Sequence, residues 1–221
     1  QFPTNALLNE LFPDRPVLLE RVDGHAGIAN NFALQLAGVK PGQSMEGGQF
    51  LMQDGKLTGL LVDNAVGVVD KMMPAATTED YKNWLISAQQ NCFATGLTTI
   101  TDCGLSPADI DQVDALQKSN DLKMRLYVML SDKPESYTSK YFKDGGYVTD
   151  RLSVKGIKVY SDGALGSRGA CLLQHYTDKA GWSGFLLSSQ AHFDSLAAQL
   201  INTDFQMCTH AIGDSANRTI L

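Results

Sequence analysis

The chain has 221 residues, of which 43% are hydrophobic and 19% charged, a composition typical of a folded globular protein with a sizeable core. Its net charge is −6, and no cluster of lysine and arginine is present, so binding to the phosphate backbone of a nucleic acid is not expected. The longest apolar runs fall well short of the roughly twenty residues that a membrane-spanning helix needs, so a membrane is not an expected partner either.

The first part of the chain, residues 1–76, lacks a regular alternation of helix and strand. Residues 16–22 are typical of a strand. Residues 49–62 predict a β-hairpin that turns at Asp54-Gly55, because this dipeptide between apolar runs is a strong hairpin signal. We therefore interpret residues 1–76 as an elaboration in front of more regular units.

From residue 77 onward, strands alternate with helices, which is typical of β/α units around a parallel sheet. The first helix is capped by Thr77 or Thr78, and the second begins at Pro107. The predicted strands are residues 97–101, 124–130, 154–160 and 205–209. Each ends in polar or glycine residues, and the carboxyl ends of parallel strands are where such proteins build their chemistry.

Lys158 lies inside an apolar strand, where an unpaired ammonium group is costly. Strand alternation places it on the face opposite Ile157 and Val159 and on the same face as Tyr160 and Asp162. One explanation is that carbon dioxide carbamylates the amine, giving a carboxylate that bridges divalent cations. The alternative is that Lys158 extends to solvent or pairs with Asp162.

His210 ends the strand that follows, where a neutral imidazole is suited to bind zinc through one nitrogen and to be oriented through the other. The alternative is an ordinary hydrogen-bonding histidine. Lys158 and His210 end successive predicted strands, and neighbouring strands lie about 5 Å apart. The two residues are therefore candidates for one metal site.

Three other polar residues are candidates for substrate contact. His25 follows Asp23-Gly24 and is either substrate-facing or a structural loop histidine. Asp162 and Arg168 flank a glycine-rich loop, where they either contact a substrate or pair with each other to shape the loop. Asp214 also follows a strand, but it is placed to cap the last helix.

Five segments of the sequence are characteristic in combination. They are VKGIKVYSDGALGSRGA at 154–170, THAIGDSANR at 209–218, RVDGHAGIAN at 21–30, LVDNA at 61–65 and GLTTITDCG at 96–104. Together they closely resemble the YtcJ-like branch of the amidohydrolase superfamily, also called amidohydrolase family 3. Members of this family are metal-dependent hydrolases on a (β/α)8 barrel.

The resemblance implies an α/β fold that is part of a (β/α)8 TIM barrel, comprising barrel strands two to five. Residues 77–221 would be this partial barrel, and residues 1–76 would be an insertion between strands one and two. The carboxylated lysine on the fourth strand matches Lys158, and the histidine ligand on the fifth strand matches His210. The implied cofactor is one or two divalent ions, expected to be zinc, and the implied substrate is a small molecule with an amide-like carbon–nitrogen bond.

The sequence also departs from the family pattern. The H-x-H pair of the first barrel strand is absent, and the later histidine and the aspartate base would lie beyond Leu221. We therefore expect a central portion of a longer enzyme, with an incomplete metal site, no catalytic base of its own and little activity alone. Its sheet would have open edges, which predicts association with another copy or poor stability.

Two alternatives remain at this point. One is a non-catalytic ligand-binding or regulatory protein on a degenerate amidohydrolase barrel, since fold alone does not determine function. The other is a glycosidase, in which Asp102 and Asp162 would serve as the two carboxylates, although this leaves Lys158 and His210 unexplained.

Overall fold

A computed structural model describes residues 2–221, which form two compact units. The first contains the residues up to Pro74 together with Tyr160–Phe193 and His210–Leu221, and the second contains Ala75–Val159 and Asp194–Thr209. None of the helices within residues 2–221 has the length and apolar character needed to cross a bilayer.

The helices and strands follow one another along the chain in this order. They are α1 (Ala6–Leu11), β1 (Leu18–Glu20), β2 (Ala26–Ala29), α2 (Asn31–Leu36), β3 (Gly48–Gln53), β4 (Lys56–Asp63), α3 (Val66–Asp70), α4 (Thr78–Ala94), β5 (Thr99–Leu105), α5 (Pro107–Lys118), β6 (Arg125–Ser131), α6 (Pro134–Thr138), α7 (Lys140–Lys143), β7 (Tyr147–Val148), β8 (Leu152–Tyr160), α8 (Gln190–Leu200), β9 (Gln206–His210) and α9 (Asp214–Ile220).

The first unit contains an antiparallel sheet with strand order β1-β2-β4-β3. The turn predicted at Asp54-Gly55 is present, and Gln53 pairs with Lys56 on either side of it. One face of the sheet packs on α2 and α3, around buried Leu34, Leu61 and Val66. Strand β2, which carries the small residues of the RVDGHAGIAN segment, was not predicted.

The second unit contains the parallel sheet, in which β5 pairs with β6 and β6 pairs with β8. The short β7 lies antiparallel against the start of β8, and β9 pairs with β8. All four strands predicted after residue 77 are present, with boundaries that differ by at most four residues from the prediction. The fold is therefore α/β with a parallel sheet, as the sequence indicated.

Helices α4 and α5 begin where the sequence predicted them. Thr77 caps α4 and Ser106 caps α5, and each forms a reciprocal capping box with the aspartate three residues later. Ile110 and Val113 of α5 are fully buried, as their helical spacing predicted. The prediction that Asp214 caps the last helix is wrong, because Gly213 is the N-cap residue of α9 and Asp214 is its first residue. That residues 1–76 are an insertion between two barrel strands stays a prediction.

Candidate functional site

The ends of β8 and β9 are tied together by hydrogen bonds from one serine. The backbone N–H of Ser161 donates to the carbonyl oxygen of His210 at 2.9 Å, and the Ser161 hydroxyl donates to the same oxygen at 2.6 Å. This double contact fixes the backbone of His210 relative to Tyr160, the last residue of β8. Their side-chain rings lie 5.4 Å apart between centroids.

His25 is presented by a tight turn that leads into β2. Gly24 adopts a φ of 74°, a conformation that glycine tolerates better than other residues. The Asp23 carboxylate accepts a hydrogen bond from Nε of Arg21 at 2.7 Å and one from the backbone N–H of His25 at 3.2 Å. Residues 21–25 therefore form a turn that is held by its own hydrogen bonds, and this turn fixes the position of the His25 backbone.

The His25 ring contacts three residues of the first unit. Its Nδ1 lies 2.6 Å from Oδ1 of Asp63, and its ring centroid lies 4.9 Å from that of His210 and 6.4 Å from that of Tyr160. Strands β2 and β4 pair Ala26 with Val62, which brings His25 beside Asp63 although 38 residues separate them. The structure therefore assembles a cluster of His25, Asp63, Tyr160 and His210, which we call the imidazole cluster.

The sequence analysis found two of these residues as site candidates, His25 and His210, and missed the role of Asp63. Asp63 follows the apolar residues 60–62 at the end of β4, and Asp102 likewise follows the β-branched residues 99–101 of β5. The rule that drew attention to acidic residues at strand ends therefore applied to Asp63 as well. This rule does not predict the pairing of β2 with β4, which brings Asp63 beside His25.

Asp162 is fully buried, and its carboxylate is committed to the backbone. Oδ2 accepts hydrogen bonds from the N–H groups of Cys171 and Gly213, both at 2.8 Å, and Oδ1 accepts one from Ile212 at 2.9 Å. These bonds join the loop after β8 to the loop after β9. A carboxylate held in this way is unsuited to act as one of two glycosidase carboxylates, which removes the support for that alternative.

Arg168 does not pair with Asp162 as one expectation proposed. Its guanidinium group instead forms a two-pronged ion pair with Asp178, with nitrogen–oxygen distances of 3.1 and 2.6 Å. Opposite charge therefore stabilises the loop through a different partner. Substrate contact by Asp162 and by Arg168 stays a prediction.

Lys158 belongs to the second unit. Ile157 and Val159 beside it are fully buried, and Lys158 lies on the opposite face of β8, in agreement with the predicted alternation. It pairs in register with Ser131 of β6, and a Cβ atom added at Gly104 would lie 3.6 Å from its Cγ. The glycine at 104 thus leaves space beside the lysine chain.

Burial affects the pKa values of two groups in the same sheet as Lys158, the Cys208 thiol and the Asp102 carboxyl. Burial raises the pKa of the Cys208 thiol, and the positive charge of Lys158 acts in the opposite direction. Burial also raises the pKa of the Asp102 carboxyl, while a hydrogen bond from the backbone of Gly104 lowers it. A carbamate at Lys158 would replace a cation by an anion in this sheet.

The residues present fit part of a metal centre. Within residues 2–221, no three histidine, cysteine, aspartate or glutamate side chains are grouped so that they would hold a metal ion. His210 and a carbamylated Lys158 would supply one nitrogen and one carboxylate donor, both of which zinc accepts. Two donors are fewer than such an ion requires, so a complete centre needs further ligands.

The amidohydrolase family model matches residues 1–221. The chain belongs to the amidohydrolase family. Among curated proteins, it is 28% identical to the protein LONG AFTER FAR-RED 3 of Arabidopsis thaliana, covering 100% of this chain and 40% of that protein. It is 29% identical to the putative amidohydrolase YtcJ of Bacillus subtilis, covering 97% of this chain and 41% of that protein.

A third curated relative is the exoenzymes regulatory protein AepA of Pectobacterium carotovorum, which is 26% identical and matches 99% of this chain and 49% of its own length. The chain therefore spans between two fifths and one half of the length of the curated relatives it matches.

Two solved structures share the fold. An uncharacterized metal-dependent hydrolase from Pyrococcus horikoshii superposes with a TM-score of 0.70 at 23% identity, covering 99% of this chain and 43% of that one. A metal-dependent hydrolase from Pyrococcus furiosus gives a TM-score of 0.65 at 26% identity, covering 99% and 45%. The α/β fold with its parallel sheet is thus consistent with part of an amidohydrolase barrel.

Proposed function

We propose that this chain is part of a metal-dependent hydrolase that cleaves an amide-like carbon–nitrogen bond in a small molecule. Family membership supports hydrolysis, and the description of the Pyrococcus proteins as metal-dependent hydrolases supports the use of a divalent ion. The observation that carries the proposal is the imidazole cluster, in which His210 ends β9 and the rings of His25 and Tyr160 lie near it. Strand ends of this kind are where barrel enzymes hold their reacting groups.

In this proposal Lys158 and His210 would each supply one ligand to a divalent ion. The neutral amine of Lys158 adds to carbon dioxide, which forms a nitrogen–carbon bond and releases one proton, and the resulting carbamate provides an anionic oxygen donor. His210 provides an imidazole nitrogen. When bound, a zinc-type ion polarises the scissile carbonyl and lowers the pKa of water toward neutrality.

The remaining residues orient the substrate. The side chain of His25 is 13% exposed, which would allow it to contact a substrate directly, while the Asp63 carboxylate is 1% exposed. The proton-transferring base is assigned to the part of the parent protein that follows Leu221, since we identify no base within the chain. Asp162 holds the two loops around the site, and Arg168 remains a candidate contact.

The test is metal content and activity of the full-length parent protein carrying Lys158→Ala. We expect at least a tenfold loss of bound metal and a loss of amide hydrolysis, because one bridging donor is removed. Lys155→Ala is the matched control, since Lys155 lies on the same strand but its Nζ contacts the Gly145 carbonyl at 2.9 Å and Asp204 at 3.3 Å. Unchanged metal content in Lys158→Ala, with correct folding, would contradict the bridging role.

A second candidate is a ligand-binding protein with a regulatory role, which the name of the relative AepA favours. The two candidates differ in what the full-length protein retains. A parent that contains the remaining histidine ligands and the aspartate base, and that hydrolyses N-acyl or N-formyl amines, is an enzyme. A parent that lacks them but binds such compounds without turnover supports the regulatory alternative.

A further inference from the structure

The Asp63 carboxylate of the first unit is almost completely buried. Its side chain is 1% exposed, and its backbone φ of 49° lies in the left-handed region that residues other than glycine rarely adopt. Strain of this kind persists only where the surroundings impose it. The surroundings of Asp63 therefore hold its backbone in an unfavourable conformation at the end of β4.

Two glycines of the D-G-A-L-G-S-R-G segment close around this carboxylate. A Cβ atom added at Gly163 would lie 2.6 Å from Cγ of Asp63, and one added at Gly169 would lie 3.4 Å from the same atom and closer still to Oδ2. Within residues 2–221, no group donates a hydrogen bond to Oδ2 of Asp63. Among the described residues, the short contact with His25 is therefore the one hydrogen bond that this carboxylate forms.

The chemistry of the pair then determines the state of the imidazole. A carboxylate offers only acceptors, so the ring nitrogen that faces it must carry the proton. In a neutral imidazole the other nitrogen is then an acceptor. Burial raises the pKa of the Asp63 carboxyl, and the hydrogen bond from His25 acts in the opposite direction, which fits a pair that depends on this bond.

We propose that Asp63 is a positioning residue that holds His25 as the Nδ1–H tautomer, so that Nε2 of His25 accepts a hydrogen bond from an N–H group of the substrate. The inference rests on the proposed function and narrows it. Amides with an N–H next to the scissile carbonyl are then the preferred class, and N,N-disubstituted amides are poor substrates because they leave Nε2 without a donor.

The tautomer is tested first, without any activity measurement. The chain has four histidines, so selective ¹⁵N labelling gives four imidazole signals in a long-range ¹⁵N–¹H spectrum. We expect His25 to show the Nδ1–H pattern, and Asp63→Ala to shift it to the Nε2–H pattern that free histidine prefers. A doubly protonated ring, an Nε2–H pattern in the unaltered chain, or no change in Asp63→Ala would overturn the proposal.

Substitutions in the loop give an independent test that does not remove the carboxylate. Gly163→Ala and Gly169→Ala place a methyl group against Asp63, so we expect the His25 signal to move in both. Gly166→Ala is the matched control, because a Cβ atom there meets nothing within 4 Å. Circular dichroism confirms that each variant is folded. A His25 signal that moves equally in all three variants, or in none, would contradict the close fit.

The consequence for substrates is tested in the full-length parent with a secondary formamide and its N-methylated counterpart. We expect kcat/KM to favour the secondary formamide, and His25→Phe and Asp63→Asn to reduce this preference at least tenfold while metal content stays unchanged. An unchanged preference would refute the role of Nε2. If the parent hydrolyses neither compound while His25 keeps the Nδ1–H pattern, the proposed hydrolase function fails and the Asp63–His25 pair stands.

Discussion

At the scale of single residues, Asp162 shows how one side chain holds two loops. Three backbone N–H groups, from Cys171, Ile212 and Gly213, depend on its carboxylate. We expect Asp162→Ala to lower the free energy of unfolding by about 3 kcal/mol or more, because each stranded donor costs about 1–3 kcal/mol. Asp162→Asn should also be destabilising, since its NH₂ group would face an N–H group.

Urea denaturation of the chain measures both changes, with the exposed Asp150→Ala as control. The interpretation of Asp162 as a loop anchor is wrong if Asp162→Ala and Asp150→Ala unfold at the same urea concentration. A large loss for Asp162→Ala with a smaller loss for Asp162→Asn would show that the number of accepted hydrogen bonds is what matters.

The positions of Lys158 and His210 in their strands were predictable from the sequence, whereas their role as metal ligands stays a prediction. Lys158 and His210 follow from an apolar run that ends in polar residues, a pattern that is local in sequence. The partner of His25 was not predictable in this way. Asp63 is 38 residues away and reaches His25 only through the pairing of β2 with β4, which no local pattern records. The Arg168–Asp178 ion pair, inside an irregular loop, was missed for the same reason.

At the scale of elements, the helix starts of the second unit are encoded by short motifs. Ser106 accepts a hydrogen bond from the N–H of Asp109 at 3.2 Å, and the Asp109 carboxylate accepts one from the N–H of Ser106 at 3.2 Å. We expect Ser106→Ala to lower the free energy of unfolding by about 1 kcal/mol, the usual cost of losing such a cap.

The control for this change is Ser119→Ala at the other end of α5, whose hydroxyl is exposed. Urea denaturation should give a smaller loss for Ser119→Ala than for Ser106→Ala. Equal losses would mean that the capping box contributes no more than an ordinary surface hydroxyl.

Elements with strong local signals were therefore predicted well, and those that depend on distant partners were not. The four strands of residues 97–209 are rich in apolar and β-branched residues bounded by caps or glycines, and all four are present. Strand β2 has the sequence Ala-Gly-Ile-Ala, which carries little strand propensity of its own. It is a strand because β1 and β4 pair with it on both sides.

At the scale of the whole molecule, the parallel sheet has an open edge. Strand β5 has one neighbour, β6, among the strands of residues 2–221. Exposed strand edges promote pairing with another chain. We expect the 221-residue chain to self-associate or to be marginally stable.

Size-exclusion chromatography with light scattering, together with urea denaturation, measures the association and the stability of the chain over a range of concentrations. A monomeric chain with a cooperative transition and a free energy of unfolding above about 5 kcal/mol would contradict this expectation. Association that disappears when β5 is disrupted by Ile100→Pro, with helix content retained, would locate the contact at that edge.

The packing of Gly163 and Gly169 against Asp63 has an implication for exchanging parts between relatives. The backbone of residues 161–171 packs closely against the Asp63 carboxylate. Exchanging either this loop or residue 63 alone would therefore create a steric clash or a void. A chimera that transplants residues 161–171 should therefore carry its donor's residue at position 63 as well. Any attempt to alter substrate preference by grafting this loop therefore has to exchange residues 161–171 and residue 63 together.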